Sequence, residues 1–306
     1  MPENTADSRR GFIRSAVGLG SAAALGSASP AATPLLPTVK FGKVEVTRLV
    51  VGANPFYGYS HFNNVLDQFM KEYMTPEEKL KILMRCEECG VNTWQNHFEP
   101  QVMEDLKRYR GAGGKMHWLL LGHGEMIKNP SLIKEAAKLG PIGIAHHGGV
   151  TDERFRNGEM DKVKDFYRMV QDAGIPGGIS THNPAVMDFV EGGGWDNDYY
   201  MTCMYRQTRT PEDFRQQFGE APVGETFFEK DPERMCKMVR ATRKTCFAFK
   251  VLAAGRAITS SQQVERQMRF VLANIKPQDP IIVGMCPKFK DEPKENADLV
   301  RKILTA

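Results

Sequence analysis

Three absences narrow what this sequence can be. After about residue 32 the chain has no apolar run long enough to cross a bilayer, which takes about 20 residues as a helix. It has no low-complexity segment and no internal repeat. It has no strong excess of one charge either, since the net charge is only +4 and Lys and Arg alternate with Asp and Glu. We therefore expect a globular protein with a small-molecule substrate, no nucleic-acid partner and no membrane span in its mature part.

The six cysteines do not follow a zinc-binding spacing. Cys86 and Cys89 form one C-x-x-C pair, but the pair lies in a helical pattern and no second pair follows it. An even number of cysteines would also allow disulfides in an exported protein. The spread of the six through strand-like and helix-like segments favours buried thiols, with a disulfide or a metal as the alternatives.

The first 32 residues are typical of a targeting segment. The sequence Ser8-Arg9-Arg10-Gly11-Phe12 precedes a weakly apolar run of small residues up to Ala28. This arrangement resembles the twin-arginine export signal, which implies the Tat export machinery as a partner and a periplasmic or extracellular location. The alternative is an unstructured basic N-terminus. We expect residues 1–32 to be the signal peptide and residues 33–306 to form one catalytic domain.

Short apolar runs alternate with amphipathic segments through the rest of the chain, which is typical of parallel β/α units. The predicted strands are Leu49–Phe56, Asn92–His97, His117–His123, Gly143–His147, Gly177–Thr181, Tyr199–Tyr205, Phe247–Leu252 and Ile281–Met285. The predicted helices are Pro76–Cys89, Gln101–Arg110, Pro130–Leu139, Met160–Ala173, Pro184–Glu191, Pro232–Thr242, Ser260–Asn274 and Pro293–Thr305. Eight such units predict an α/β fold of the (β/α)8 TIM-barrel class.

An open, doubly wound sheet is the competing architecture. It would need a glycine-rich turn after the first strand, and Val51-Gly52-Ala53-Asn54-Pro55 does not supply one. Two long loops, 57–75 and 206–230, would lie at the C-terminal face of a barrel, where long loops form walls or lids.

Several motifs in barrel order resemble the aldo/keto reductase family. They are Phe41–Gly52 as an opening hairpin and strand, Gly90-Val91-Asn92 before the second strand, Gly178-Ile179-Ser180 in the fifth strand, Lys250–Gly255 after the seventh, and Ile281–Gly284 with Glu295-Asn296 near the end. The resemblance implies an aldo/keto reductase-like barrel that uses NADP. It places Lys288, Lys290 and Asn296 as cofactor-binding candidates.

The catalytic residues that the resemblance implies are mostly missing. Gln95 stands at the position of the family's aspartate and Pro100 at that of its tyrosine acid, and proline cannot donate a proton. Leu121-Gly122-His123 replaces the third-strand lysine. A histidine at His146 or His147 is the one counterpart. The fold is therefore expected without the usual reductase chemistry.

Histidines stand near the ends of the second to fifth strands, where barrel enzymes keep their chemistry. Neutral imidazole is a common ligand of zinc and similar divalent metals. The candidate metal ligands are His123, His147 and His182 with Glu125 as a fourth, and His97 as the alternative fourth ligand. Lys250, Tyr205, His146 and His97 are the candidate acid and base residues. The same histidines could instead bind sugar hydroxyls without a metal, and Arg206 could clamp a carboxylate or only cover a loop.

These observations favour an exported lyase, isomerase or hydratase acting on a small polar substrate, a carbohydrate or keto-sugar, with a His-rich site that could hold a metal. A diverged NADP-dependent reductase that uses His146 or His147 as its acid is one alternative. A non-catalytic binding barrel is the other, although convergent ionisable groups argue against it.

Overall fold

The computed structural model describes residues 34–305, and the predicted leader lies outside them. Eight parallel strands close into a barrel in the order β10-β3-β4-β5-β6-β7-β8-β9. The barrel strands are β3 Leu49–Gly52, β4 Thr93–His97, β5 His117–Leu121, β6 Gly143–His146, β7 Gly177–Thr181, β8 Tyr199–Cys203, β9 Thr245–Phe249 and β10 Ile281–Gly284. The predicted (β/α)8 barrel is confirmed.

Helices connect the strands on the outside of the barrel. They are α1 Asn64–Tyr73, α2 Pro76–Glu88, α3 Pro100–Gly111, α4 Glu125–Lys128, α5 Leu132–Ala137, α6 Gly148–Arg156, α7 Met160–Asp172, α8 Pro184–Gly192, α9 Pro211–Phe218, α10 Asp231–Ala241, α11 Ser261–Asn274 and α12 Glu292–Thr305. Short 3-10 helices span Asn54–Tyr57 and Ala253–Gly255. No helix within residues 34–305 is both long and apolar enough to span a membrane.

The two segments predicted as long loops each contain a helix. Helix α1 begins after Asn63, whose side chain accepts a hydrogen bond from the amide of Leu66. Helix α9 begins after Thr210, which exchanges hydrogen bonds with Asp213 in a capping box. Local capping therefore gives both loops structure that their overall polarity did not predict.

Four of the eight barrel strands, β3, β5, β8 and β9, end two to four residues earlier than predicted, and the other four end within one residue of the prediction. Strand β3 stops at Gly52 because Pro55 stands in a 3-10 helix, where a proline ring fixes φ and removes a ladder donor. Strand β9 stops at Phe249, before a left-handed turn at Lys250. The residues past each strand end are therefore free to turn into the mouth of the barrel.

An antiparallel hairpin of β1 Thr38–Phe41 and β2 Val44–Thr47 precedes the barrel. Phe41 from this hairpin packs with Tyr199 and Phe247, which point into the barrel from β8 and β9. Each such aromatic side chain contributes roughly 2–3 kcal/mol by burial. The hairpin and these rings fill the barrel at the N-terminal ends of its strands.

All six cysteines lie in the described part of the chain and carry free thiols. Five are buried and Cys286 is half-buried. Burial raises the pKa of each of them, as it does for Cys236, where the pKa is about 11. This agrees with the preference for buried structural thiols over a disulfide.

Candidate active site at the C-terminal mouth

Alternation along the strands decides which side chains enter the barrel. Ala145 of β6 belongs to the interior cluster, so the next residue on that side is His147 and not His146. By the same alternation, His123 follows Leu119 and Leu121 on the inner side of β5, and His182 follows Ser180 on the inner side of β7. His97 of β4 completes the set, so that four imidazoles from four consecutive strands approach the same rim.

Three of these imidazoles form a contiguous row. The ring centroids of His97 and His123 are 5.4 Å apart, and those of His123 and His147 are 5.0 Å apart. His182 lies on the far side of His147 and packs edge-on against Phe249, with 5.5 Å between ring centroids. The predicted convergence of His97, His123, His147 and His182 is present in the structure.

Two carboxylates orient this row. Glu99 Oε1 lies 2.8 Å from Nδ1 of His123, and Glu99 Oε2 lies 3.3 Å from Nε2 of His97 without the alignment of a hydrogen bond. Asp152 Oδ2 lies 3.0 Å from Nδ1 of His182. These contacts fix both rings and leave Nε2 of His123 and of His182 without a protein hydrogen bond in the part of the chain that the structure describes.

Asp152 is the more tightly held of the two carboxylates. It is fully buried, and it accepts hydrogen bonds from the amide of His182 and from the hydroxyls of Thr181 and Thr208. Three donors besides the imidazole stabilise its negative charge. His182 therefore has a rigid orientation that comes from α6 and the loop after β8 together.

The environment favours neutral imidazoles. The pKa of His147 is lowered to about 3, first by burial and then by the proximity of the basic side chains of His123, His182 and Lys250, which disfavours a further positive charge. Burial also lowers the pKa of His97 and of His182, against the opposing effect of their carboxylate partners. Neutral imidazoles can accept protons or bind metals at neutral pH.

Lys250 completes the mouth on the side of β9. Its Nζ donates a hydrogen bond to Oε1 of Gln207 and forms no ion pair with a carboxylate of residues 34–305. Burial lowers the pKa of Lys250, and the charge of Glu225 opposes this shift without overcoming it. This shift is towards the free amine, which is the nucleophilic form of lysine.

The backbone around Lys250 is strained. Lys250, Ala253 and Ala254 have φ of 57°, 51° and 48°, the left-handed region that residues with a Cβ rarely adopt. Such conformations cost of order 1 kcal/mol each and persist where the surrounding structure requires them. Here they turn the chain directly after β9 and hold the lysine over the mouth.

Two loops meet above this mouth. His61 Nδ1, from the loop after β3, lies 2.8 Å from Oε1 of Glu225, from the loop after β8. The guanidinium of Arg256 lies between the rings of Phe62 and Phe227, 5.1 Å and 4.0 Å from their centroids. We call this assembly of His61, Phe62, Glu225, Phe227 and Arg256 the loop bridge.

Three of the predicted site residues lie elsewhere. His146 points outward, where it packs on Phe166 and hydrogen-bonds Thr151 at 2.7 Å, because alternation puts it on the opposite side from His147. Glu125 starts the short helix α4, is 72% exposed and pairs with Lys128. The expected positions of both residues at the mouth are thus corrected, and Glu99 takes the place expected for Glu125.

Tyr205 is also directed away from the imidazoles. Its hydroxyl accepts a hydrogen bond from Nε2 of Gln267 on α11 at 2.9 Å, and its ring packs on Phe227. Burial raises the pKa of Tyr205 to about 12, so the hydroxyl stays protonated. The position of Tyr205 is structural, although its spacing after β8 suggested an acid or base.

The predicted cofactor residues contact their own chain. The ammonium of Lys288 lies 4.5 Å from the ring centroid of Phe69, and that of Lys290 lies 2.7 Å from Oε2 of Glu295. Asn296 is buried on α12. Both lysines would have to leave these partners to reach a phosphate group.

Within residues 34–305, no group of three or more His, Cys, Asp or Glu side chains is arranged to hold a metal ion. The imidazole row brings side chains of the right type together. Its present geometry, however, does not direct three ligand atoms at one point.

Sequence reasoning did not identify Glu225, His61 or Gln207 as parts of the site. All three lie in the two long loops, and their positions depend on how those loops fold over the mouth. The loop lengths were the available signal, and they predicted a wall or lid without naming the residues.

No family model matches this chain, and no curated protein matches it. Among solved structures, it is similar to Gox0644 in its apo form, at 8% identity and a TM-score of 0.51, with 88% of this chain and 93% of that one covered. It is also similar to the glycerol dehydrogenase AKR11B4 from Gluconobacter oxydans, at 12% identity, a TM-score of 0.48, and coverage of 86% and 94%.

A truncated 3-deoxy-D-arabino-heptulosonate 7-phosphate synthase from Thermotoga maritima is similar at 14% identity and a TM-score of 0.49, with 89% and 92% of the two chains covered. Likenesses at this level of identity show the fold alone. The chain is a (β/α)8 barrel, and an aldo/keto reductase is among the barrels that resemble it.

Proposed function

We propose that this chain is an enzyme of the lyase, isomerase or hydratase kind that acts on the carbonyl group of a small polar substrate, a carbohydrate or keto-sugar. Lys250 supplies the reacting amine and the imidazoles of the mouth move protons. The observation that carries the proposal is a half-buried lysine that forms no ion pair with a carboxylate of residues 34–305 and lies beside neutral imidazoles at the C-terminal mouth of a barrel. Barrel enzymes keep their catalytic residues at this face.

The chemistry follows from the state of the amine. The free amine of Lys250 adds to a carbonyl carbon, the carbonyl oxygen is protonated and leaves as water, and a C=N bond forms. The protonated imine then accepts the electron pair of a neighbouring C–H or C–C bond as that bond breaks. His147 or His182, both neutral, can take the released proton.

Chemical trapping tests this role without knowledge of the natural substrate. The protein is incubated with dihydroxyacetone or pyruvate and reduced with borohydride, which converts an imine into a stable secondary amine. Peptide mass mapping should find the adduct on Lys250 at a level well above that on the exposed Lys294 and Lys162. The K250M variant should show only the background level. Equal labelling of all lysines, or none at Lys250, would refute the proposal.

A metal-assisted version of the same reaction is a second candidate, because two of the imidazoles have the partners that metal-binding histidines have. Glu99 and Asp152 hold Nδ1 of His123 and His182, which leaves each Nε2 available. A bound zinc or similar divalent ion would polarise the carbonyl. Elemental analysis of the purified protein tests this version. Metal in stoichiometric amount that is lost in the H123A variant would support it, and a metal-free active protein would exclude it.

The reductase alternative makes a separate prediction, which is binding of NADPH near Lys288, Lys290 and Asn296. Both lysines already have partners, so we expect no saturable change in NADPH fluorescence up to millimolar concentration. Saturable binding would favour the reductase over the lyase.

We also propose that the protein is exported through the twin-arginine pathway to the periplasm or beyond. The support is the sequence Ser8-Arg9-Arg10-Gly11-Phe12 and the run of small residues after it. A fusion to a reporter that is active only outside the cytoplasm tests it. Replacing Arg9 and Arg10 with lysine should abolish export, and unchanged export would contradict the proposal.

A further inference from the structure

We propose that a cavity beside the mouth binds an anionic group, a phosphate or carboxylate, carried by the substrate. The cavity measures about 460 Å³ and lies between the starts of α8 and α10. Its walls include His182, Asn183, Cys203, Arg206, Arg209 and Arg234. Three guanidinium groups and one carboxylate, that of Asp231, line it, so the balance of fixed charge is positive.

Arg206 is the residue that points to a ligand. Its guanidinium makes no hydrogen bond or ion pair with residues 34–305, and its Nε is buried without any partner. A buried donor that lacks a partner costs of order 1–3 kcal/mol, more when it carries charge. Because Arg206 lines the cavity, an oxyanion bound there would give its guanidinium the partner that it lacks among residues 34–305.

The other two arginines are held in place by Asp231. Arg209 donates to both carboxylate oxygens, at 2.8 Å and 2.6 Å, and Arg234 donates to Oδ1 at 2.9 Å. The Asp231 carboxylate also accepts from the backbone amide of Arg206. This network neutralises one of the three positive charges and fixes the guanidinium groups of Arg209 and Arg234 beside the cavity, which is a form of preorganisation for recognition of an oxyanion.

The backbone amides at the start of α8 are already occupied or absent. The amide of Ala185 donates to the side chain of Asn183, and the amide of Val186 donates to its carbonyl oxygen. Pro184 has no amide hydrogen. Among carboxylates outside the wall, Asp213 lies near Arg206 but is engaged with Thr210 in the capping box. Among the described residues that line the cavity, Arg206 is therefore the charged donor without a hydrogen-bond partner, and the neutral side-chain amides of Asn183 and Gln217 can add to it.

The cavity shares His182 with the proposed reaction centre, and Cys203, another wall residue, is linked to Lys250 through Gln207. Oε1 of Gln207 lies 4.0 Å from Sγ of Cys203 and accepts a hydrogen bond from Nζ of Lys250. An anion bound by Arg206 would thus place the rest of its molecule towards the amine. This link rests on the proposed function, and it narrows the substrate to a carbonyl compound that carries a phosphate or carboxylate group. Anion binding itself does not depend on the reaction.

Binding of inorganic phosphate and of malonate tests the site directly. Each is titrated into the full protein at constant ionic strength, with chloride as the balancing salt, by isothermal calorimetry and thermal shift. We expect saturable binding that is at least tenfold weaker in R206Q. The matched control is R168Q, because Arg168 is a half-exposed arginine on α7 far from the cavity wall, and it should bind as the native protein does.

The two anions distinguish the source of the charge. Tighter binding of phosphate would identify a phosphorylated substrate, and tighter binding of malonate would identify a carboxylate. Absence of saturable binding by either anion, or equal binding by R206Q, would overturn the proposal. Circular dichroism of R206Q confirms that a loss of binding is not a loss of fold.

The anion test and the trapping test can fail separately. Phosphate titration involves no chemistry at Lys250, and trapping with uncharged dihydroxyacetone involves no anion. Saturable phosphate binding without a Lys250 adduct would keep the anion site and reject the amine. An adduct without anion binding would do the reverse.

Discussion

The two ends of the barrel interior are built on the same alternation but filled with opposite chemistry. At the N-terminal end, Phe41, Tyr199 and Phe247 pack edge to face, with centroids 5.1 Å, 5.1 Å and 5.7 Å apart. This geometry is favourable for aromatic rings and leaves no room for a ligand.

At the C-terminal end the inward positions carry imidazoles. The rings of His97, His123 and His147 are as close together as the aromatic rings below them, at 5.4 Å and 5.0 Å. Their nitrogens, however, need partners, and several have none from the described residues. The closed end therefore stabilises the fold, whereas the mouth keeps imidazole nitrogens without hydrogen-bond partners, which a ligand could supply.

Truncation of one ring at each end of the barrel should give the largest difference in the free energy of unfolding. Phe247→Ala removes a fully buried ring and leaves a cavity, so we expect a loss of about 3–5 kcal/mol in the free energy of unfolding. His147→Ala at the mouth removes a half-buried ring and its helix-capping contact with the amide of Val150, so it should cost only about 1 kcal/mol. Urea denaturation measures both. If F247A prevents folding, Phe247→Leu gives a smaller loss in the same direction. Equal costs at the two positions would contradict the division of roles.

His146 and His147 are adjacent in the sequence but point to opposite sides of β6. The dependence of stability on pH therefore tests the outer layer separately from the mouth. The pKa of His146 is lowered to about 3, first by burial and then by the charges of His147 and Arg154. Below its ordinary pKa of 6.5 the unfolded chain takes up a proton that the folded chain refuses, so stability falls as the pH falls from 6.5 towards 3. At pH 5 this amounts to roughly 2 kcal/mol.

The variant H146Q keeps a donor for Thr151 but cannot take up that proton. The difference in unfolding free energy between pH 7 and pH 5 should therefore shrink by roughly 2 kcal/mol relative to the native protein. Urea denaturation at the two pH values measures it. An unchanged difference would show that His146 is not the neutral, buried group that its packing on Phe166 implies.

Removing the hydroxyl groups of two neighbouring tyrosines on β8 should change the free energy of unfolding by a smaller amount and with opposite signs. The hydroxyl of Tyr199 points into the closed end and has no hydrogen-bond partner among residues 34–305, whereas that of Tyr200 faces outward and donates to Glu191 at 2.6 Å. Tyr199→Phe should raise the free energy of unfolding by about 1 kcal/mol, and Tyr200→Phe should lower it by a similar amount. Thermal and urea unfolding measure the pair. The same sign for both would mean that a water or shift of structure satisfies Tyr199.

The sequence predicted the barrel because its signal is periodic and repeated. Eight apolar runs alternating with amphipathic segments constrain the topology even where single boundaries are wrong by a few residues. The same periodicity predicted that imidazoles near the ends of β4 to β7 would meet. It could not choose between His146 and His147 while the end of β6 was uncertain, since a shift of one residue reverses the side.

The residues that contact the imidazoles were harder to predict from the sequence. Glu125 and Glu99 both follow a strand closely, and only the path of the chain after β4 and β5 brings Glu99, the N-cap residue of α3, to His123. The contact of His61 with Glu225 joins positions 164 residues apart in the sequence. No local pattern encodes such a contact, because it depends on how two irregular loops pack together.

Disruption of the loop bridge should have the smallest effect on global stability of the changes proposed here, and the effect should be confined to the two loops. Arg256→Gln removes the cation between Phe62 and Phe227, an interaction worth about 0.5–1 kcal/mol at an exposed site. We expect the free energy of unfolding to change by less than about 0.5 kcal/mol, since the loops open independently of the barrel. Amide hydrogen exchange should instead rise in the loops after β3 and β8, but not in strands β4 to β7.

Arg269→Gln is the control, because Arg269 pairs with Glu265 on the exposed face of α11 and touches neither loop. Its exchange pattern should match that of the native protein at the mouth. If R256Q instead destabilises the whole barrel by several kcal/mol, the loops are part of the closed core. The mouth would then have no separate means of opening to a ligand, and the difference between the two ends of the barrel would be one of composition alone.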